Sequence, residues 1–391
     1  MNTAEKLLLG LLGITACVAV GVAVLMAGQT YQVWAAKPLG PALQIPTAGW
    51  SLPPTWTPSP APLPGTPAPA RALLAEATSE VFAVNPATPA FGPRCGGPPV
   101  MHLLAVGSDQ RGDNYVYGLG DVIRLVRVDF TTPKVTVLEF PRDLWVEIPD
   151  ISDNLHGQDH EKLNQAYLYG NRGFGYTNDP AQGPGLMART LALNFGVKLD
   201  HYVGVNMRTF VKMVNAVDGI DLYLPNGLDG RTSSDRSKRL VFPGGWNHLD
   251  GDQALTVARI RNEGVFSRAD HQDMVLCAFR SKLTRPEVVT QIPQLIASFQ
   301  GSIQTDLSPD QISQLACLGP QIRPENIQFA SFPEEYFKGT RIYDPVFKGR
   351  VFIWEVDFDI LRGYVASFQA GTWPPPGIPG PSTGESPILC Q

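Results

Sequence analysis

Charged side chains that could bind a metal ion and a phosphate group border three neighbouring apolar runs, 102–106, 122–130 and 135–140. They are Asp109, Arg111, Asp121, Arg142 and Asp143. Carboxylate oxygens are the ligands that hard cations such as Mg²⁺ prefer, and planar guanidinium groups bind phosphate oxygens in pairs. Ordinary loop charges in solvent are the competing interpretation. The spacing therefore predicts either a metal–phosphate site or a solvated charged rim.

The apolar runs that border these charges predict three buried strands. If the strands share one sheet, their charged ends meet at one edge, where ligands bind in open α/β sheets. Farther along, helices at 162–170, 186–195 and 210–217 alternate with strands at 202–205 and 220–224. Gly196 directly follows the second of these helices and is expected to end it. The glycines between 170 and 185 predict a flexible connection. This alternation is typical of a layered α/β domain.

A second set of candidate ligands follows the predicted helix start at Leu249–Leu255. It consists of Arg259, Arg261, Arg268 and Gln272. Three arginines in ten residues favour a clamp for an anion, with surface salt bridges as the alternative. His156 and His160 have the spacing of one helical turn, but no third zinc ligand accompanies them. We therefore interpret these histidines as surface residues.

The net charge of −5 provides no basic face for nucleic acid, and no nucleic-acid partner is expected. Leu7–Gly28 carries no charge and is long enough for a membrane-spanning helix. We interpret it as an uncleaved anchor, with a cleaved signal peptide as the alternative. The globular part would then lie outside the cell membrane. The expected segments are a cytoplasmic head 1–6, the anchor 7–28, a Pro-rich extracytoplasmic linker 29–98, a folded domain 99–369 and a Pro/Gly-rich tail 370–391.

Four cysteines follow the anchor: Cys95, Cys277, Cys317 and Cys390. An even number of cysteines in an oxidising space permits disulfides. Cys277 and Cys317 fall in two predicted helices and could bridge them, or both could be buried free thiols. A Cys277–Cys317 or a Cys95–Cys390 bond is therefore an open possibility.

Several motifs in order resemble the LytR–CpsA–Psr family of membrane-anchored cell-wall enzymes. They are 107–111 (GSDQR), Asp121, 141–143 (PRD), 162–167 (KLNQAY), 218–221 (DGID), 249–255 (LDGDQAL) and 259–261 (RIR). The resemblance covers about residues 101–283. It implies a three-layer α/β/α sandwich around a mixed central sheet.

The resemblance also implies transfer of a glycopolymer from a polyprenyl pyrophosphate carrier to peptidoglycan, assisted by Mg²⁺ or Mn²⁺. Asp109 and Asp121 would bind the metal. The pyrophosphate would be held by Arg111, Arg142, Arg259, Arg261, Arg268 and Gln272. Arg111 and Arg142 would also stabilise the reacting phosphate. Positioning and charge neutralisation are what phosphoryl transfer chiefly needs.

Three positions depart from the family pattern. Leu119 and His271 stand where arginines are usual, and Val265 replaces an aspartate. Arg124, on a strand that should be apolar, could supply the missing guanidinium or form a salt bridge at the strand edge. With Val265 unable to accept a proton, Asp143 is our candidate general base, a structural ion pair being its alternative role.

These departures leave three functions open. The first is glycopolymer transfer, and the second is hydrolysis of the lipid pyrophosphate by water. The third is a non-catalytic module that binds polyprenyl phosphate or wall glycan.

Overall fold

The computed structural model describes residues 35–45, 52–55, 92–260, 267–289, 299, 301–375 and 390. The expected anchor Leu7–Gly28 lies outside these residues. Among the helices in the described ranges, none combines the length and the apolar character needed to cross a membrane.

The described strands and helices alternate along the chain as the apolar pattern predicts. The strands are β1 (Val100–Ser108), β2 (Gly120–Asp129), β3 (Lys134–Glu139), β4 (Trp145–Glu147), β5 (His160–Lys162), β6 (His201–Asn206), β7 (Ile220–Leu224), β8 (Leu228–Asp229), β9 (Val241–Phe242), β10 (Gly245–Leu249), β11 (Gln304–Thr305), β12 (Ile327–Ser331), β13 (Lys338–Asp344) and β14 (Gly349–Glu355). The helices are α1 (Leu163–Gly170), α2 (Gln182–Phe195), α3 (Met207–Ala216), α4 (Gly251–Val257), α5 (Ser267–Leu283), α6 (Pro286–Val289), α7 (Pro309–Leu318) and α8 (Phe358–Ala370).

A mixed central sheet has the strand order β11-β6-β1-β2-β3-β12. The β1–β2 and β2–β3 pairs are antiparallel, whereas β1 pairs parallel to β6 and β3 parallel to β12. Because the side chains of a strand alternate between its two faces, β1 contributes to two cores. Leu104 and Val106 pack with α1, α2 and α8, and Met101 and Leu103 pack with α7 on the other face. The expected mixed sheet with helices is confirmed.

The glycines in the first turn of α2 serve close packing, and the expected flexible connection is wrong at Gly183 and Gly185. Both lie inside α2, which packs against α1. A Cβ at Gly185 would lie 2.1 Å from the Asp179 carboxylate, and one at Gly183 would lie 2.8 Å from the Tyr167 carbonyl. At the other end of the helix, Gly196 has a φ of 69°, as the expected C-terminal glycine should.

The cysteines pair as Cys95–Cys317 and Cys277–Cys390. Neither the Cys277–Cys317 pair nor the Cys95–Cys390 pair is formed. The reason is topological, since α7 packs against the turn at residues 94–96, and α5 meets the buried Cys390. Spacing along the chain carries no information about such contacts.

A buried carboxyl pair joins β5 to the β13–β14 turn. Glu161 and Asp344 are both 0% exposed, and Gln165 donates to the Glu161 carboxylate at 3.1 Å. Burial, and then the neighbouring Asp344, raise the pKa of Glu161 from 4.5 to about 8. The folded state therefore binds a proton more tightly than the unfolded chain does. The stability that this proton provides is complete below about pH 4.5 and is lost as pH rises through about 8.

Glu161→Gln should therefore flatten the pH dependence of stability. From pH 5 to pH 8.5 we expect the wild type to lose about 2 kcal/mol or more of unfolding free energy relative to the variant. Urea unfolding at the two pH values measures this difference. Glu325→Gln, which changes an exposed carboxylate, is the control. Parallel curves for wild type and Glu161→Gln would contradict the assignment.

Candidate functional site

Asp109 and Asp121 meet at one edge of the central sheet. Ser108 pairs with Gly120, and the next residue, Asp109, accepts a hydrogen bond at 2.7 Å from the backbone N–H of Leu119. Asp121 is the second residue of β2, next to Gly120 and at the point where the β1–β2 register shifts, so the two aspartates lie at the same end of this strand pair. Although Leu119 lacks the expected guanidinium, its backbone orients Asp109.

A charged network surrounds Asp121 and Asp143. Arg142 Nη1 lies 2.5 Å from Asp121 Oδ1, and its Nε donates to Asp143 at 3.3 Å. Lys162 Nζ donates to the other Asp143 oxygen at 2.9 Å, and Asn164 Nδ2 donates to Asp121 at 3.3 Å. Burial works against the charge of Arg142, but the two carboxylates raise its pKa overall. The structure thus joins three of the expected site residues: Asp121, Arg142 and Asp143.

Lys162 and Asn164 are site residues that the sequence-based assignment of roles missed. They lie at the junction of β5 and α1, and the Asn164 N–H donates to the Arg142 carbonyl at 3.1 Å. The signal was present in the 162–167 motif, but nothing in it indicated contact with Asp121. Asn164 is buried, and its Oδ1 has no hydrogen-bond partner among the described residues. An acceptor oxygen is thus available beside Asp121.

A cavity of about 570 Å³ extends from this edge under α5. Its apolar wall includes Val122, Val205, Phe210, Met213, Val275 and Phe279. The polar lining comes from Ser108, Asp121, Arg124, Asn206, Arg259 and Gln272. Such an arrangement suits an elongated apolar ligand with a charged head.

For the other expected phosphate ligands, the structure shows no contact within the described residues with the cluster of Asp121, Arg142 and Asp143. Arg111 is exposed on the loop after Asp109, and Arg259 is exposed at the cavity lining. Arg261 lies outside the described residues, as do Val265 and the side chain of Arg268. Their predicted roles stay predictions.

Arg124 forms a buried ion-pair network facing the cavity. Its side chain is 3% exposed and contacts Asp273, Glu139 at 3.0 Å and Gln272 at 3.2 Å. Burial raises the pKa of Asp273 to about 7, against the lowering effect of Arg124. Of its two expected roles, Arg124 therefore has that of a salt-bridge residue, and its salt bridges to Glu139 and Asp273 are buried. The Gln272 amide is engaged there too, and its Nε2 also faces the Ala258 carbonyl.

The histidines do not form a metal site. His156 adopts a positive φ in a turn, and His160 lies on β5 with Nδ1 2.6 Å from Asp159. The two histidines therefore do not lie one turn apart on a helix. His271 is buried, with Nδ1 3.2 Å from the Ile260 carbonyl. Within the described ranges, no group of three or more His, Cys, Asp or Glu side chains could hold a metal.

The family model for the LytR_cpsA_psr family matches residues 97–350. The chain belongs to this family. The match includes the whole sheet edge and the cavity, and the earlier resemblance is confirmed.

Two relatives of this chain are named for different roles, one as a transferase and one as a regulatory protein. One is TagU of Oceanobacillus iheyensis, a polyisoprenyl-teichoic acid–peptidoglycan teichoic acid transferase, 28% identical over 224 residues that cover 55% of this chain and 61% of the relative. The other is regulatory protein MsrR of Staphylococcus aureus, 27% identical, covering 55% and 58%. The chain thus spans about three-fifths of the length of these relatives.

Two solved structures share the fold. TagV of B. subtilis has a TM-score of 0.54 at 21% identity, covering 70% of this chain and 97% of that chain. A structure described as TagT bound to LIIa-WTA has a TM-score of 0.51 at 18% identity, covering 70% and 90%. At these identities the likeness concerns the fold alone.

Proposed function

We propose that the protein transfers a glycopolymer from a polyprenyl pyrophosphate to peptidoglycan outside the cell membrane, anchored through Leu7–Gly28. The observation that carries this proposal is the apolar cavity, which opens beside Asp121. A prenyl chain fits the apolar part, and its pyrophosphate would then lie against the cluster of Asp121 and Arg142. The family relative TagU is named as a transferase of this kind.

Arg142 is the central phosphate ligand in this proposal. Its position between Asp121 and Asp143 fixes the plane of the guanidinium, so little side-chain entropy remains to be lost on binding. Arg259 at the cavity lining, Arg111 on the loop after Asp109, Arg261 and Arg268 are the expected further donors. Charge-assisted hydrogen bonds of this type are about twice as strong as neutral ones.

The donor set fits Mg²⁺ or Mn²⁺. Asp109, Asp121 and the unpartnered Asn164 Oδ1 provide oxygen ligands alone, and Mg²⁺ often binds proteins through only one or two carboxylates. When bound, the ion would neutralise charge on the phosphate oxygens. The protein residues hold the carboxylates in place, through the Leu119 backbone at Asp109 and through Arg142 at Asp121.

In the proposed reaction, the acceptor hydroxyl oxygen forms a bond to the phosphorus that carries the glycopolymer. The bond from that phosphorus to the bridging oxygen breaks, and polyprenyl phosphate leaves. Asp143 accepts the hydroxyl proton. Each Asp143 oxygen accepts one charged hydrogen bond, and a carboxylate oxygen has capacity for a further one.

A non-catalytic binding module is the second candidate. It is favoured by the neutralisation of Arg124, which leaves this arginine paired with two carboxylates, and by the neutral residue at Leu119. Hydrolysis of the lipid pyrophosphate remains the alternative enzymatic outcome, with water in place of the acceptor hydroxyl.

We expect the full-length chain to form product from a synthetic prenyl-pyrophosphate sugar, soluble peptidoglycan strands and Mg²⁺. Asp143→Asn should retain donor binding and slow transfer by roughly 10²–10⁴-fold, the usual contribution of a general base. Product formation and donor affinity are measured separately. Asp113→Asn is the matched control, because this exposed carboxylate is likewise paired with two cations, Arg208 and Lys212 of α3.

Three outcomes decide between the candidates. Donor binding without product, in wild type and in Val265→Asp alike, would establish a binding module. Released sugar phosphate that forms equally well without peptidoglycan would establish hydrolysis. Full activity in Asp143→Asn would show that Asp143 is not the general base and has a structural role.

A further inference from the structure

Four aromatic rings cluster beside the loop that follows Asp109. We call Tyr117, Tyr169, Phe174 and Tyr176 the aromatic patch. Phe174 is its centre, with ring centroids 5.9 Å from Tyr117, 5.6 Å from Tyr169 and 5.2 Å from Tyr176. Tyr117 is 50% exposed and Phe174 is 40% exposed. Mutual packing thus fixes the rings while two of them remain open to solvent.

The aromatic patch is held against the loop that leads to Asp121. The Gly173 N–H donates to the Val116 carbonyl at 2.9 Å, and a Cβ at Gly173 would lie 2.2 Å from the Tyr117 ring. Only a glycine permits this approach. Tyr117 precedes Asp121 by four residues, so their Cα atoms lie at most about 14 Å apart. That span corresponds to a few sugar rings.

The aromatic patch and the apolar cavity belong to opposite faces of the sheet. Tyr169 packs in the same core as Ile123, whereas the neighbouring strand residues Val122 and Arg124 line the cavity. Asp121 lies at the edge between the two faces. A ligand whose lipid occupies the cavity therefore leaves the aromatic patch free for a second substrate.

We propose that the aromatic patch binds a sugar ring of the acceptor glycan. This inference rests on the proposed transfer reaction. In that reaction the attacking and leaving oxygens are roughly in line, so the acceptor arrives from the side opposite the departing lipid phosphate. The aromatic patch lies on that side.

The chemistry of the surface suits a sugar. Pyranose rings present C–H groups that pack on aromatic faces, and fixed rings bind at a low cost in entropy. Hydrogen-bonding groups lie on the same segments as the exposed rings. The paired amides of Gln110 and Asn114 are on the loop that leads to Tyr117, and the exposed Arg172 is two residues before Phe174. Such groups can meet the hydroxyl and acetamido groups of an N-acetylhexosamine.

The test compares acceptor and donor binding in the full-length chain. Chitotetraose is the acceptor probe, with affinity measured by saturation-transfer NMR, and prenyl pyrophosphate is the donor probe. Soluble peptidoglycan strands serve as the acceptor in the transfer assay. The double variant Tyr117→Ala/Phe174→Ala should weaken chitotetraose binding and raise the acceptor KM by tenfold or more. Its donor affinity should stay within twofold of wild type.

Two further variants keep the result interpretable. Phe174→Leu retains apolar volume without a ring, and we expect a three- to tenfold loss of acceptor affinity with unchanged thermal unfolding. Trp246→Ala removes another exposed ring, on β10, and should change neither affinity.

The outcomes separate this inference from the proposed function. Chitotetraose binding that is absent in wild type, or unchanged in the double variant, overturns the aromatic patch as a sugar site even if transfer occurs. Ring-dependent chitotetraose binding supports the site even if no transfer is seen, and the transfer proposal alone then fails.

Discussion

Asp121→Asn should lower the transfer rate by at least about a hundredfold while the protein remains folded. The substitution removes the charge that Arg142 and Asn164 contact, and with it one of the two proposed metal carboxylates. Loss of one preorganised electrostatic group in an active site costs about 10²–10³ in rate. Arg142 retains Asp143 as a partner, so the fold should tolerate the change.

Mg²⁺ titrations provide the measurement for Asp121. The variant should need a higher Mg²⁺ concentration for half-maximal activity, and Asp109→Asn should behave similarly. Mn²⁺ should substitute for Mg²⁺, whereas Zn²⁺ should not, because all the ligands are oxygen atoms. Asp113→Asn again serves as the control. If Asp121→Asn and Asp109→Asn both left activity and the response to Mg²⁺ unaltered, these aspartates would not be metal ligands.

Arg124→Met should destabilise the protein by about 3–5 kcal/mol at pH 8, the usual cost of removing one partner of a buried ion pair. Glu139 and Asp273 would then be left buried without their cation. The cost should be smaller at pH 6, because burial already raises the pKa of Asp273 to about 7 and a proton can neutralise it. Urea unfolding at both pH values measures the difference.

Two variants test the explanation for Arg124. Adding Glu139→Gln and Asp273→Asn to Arg124→Met should restore most of the lost stability, since no unpaired charge remains. Arg127→Met, on the same strand, should cost much less, because Arg127 is partly exposed and pairs with Asp129 at 3.3 Å. Equal losses in the two single variants would mean that volume, not charge, is responsible.

The sequence predicted those parts of the fold that depend on residues close together in the chain. The apolar runs located β1, β2 and β3, and Gly196 located the end of α2. Because these strands are adjacent in the sheet, three of the five charges at their ends, Asp121, Arg142 and Asp143, contact one another, whereas Arg111 is exposed on its loop. The sequence also marked Arg124 as unusual, since a charge on a buried strand needs a partner.

The remaining features depend on contacts between distant segments. Glu139 and Asp273 neutralise Arg124 from another strand and from α5, and Asn164 reaches Asp121 from the start of α1. The role of Gly185 became clear only from its approach to Asp179. Such contacts follow from packing, which the periodicity of a single segment does not contain.

The position of Asp121 at the edge of the sheet has a kinetic consequence. The sheet separates the apolar cavity from the aromatic patch, so each of the two proposed substrates would reach the carboxylate by its own route. Neither has to depart before the other enters, and both can be held together in one ternary complex. Transfer would then proceed directly from donor to acceptor, without a covalent intermediate between the polymer and the protein.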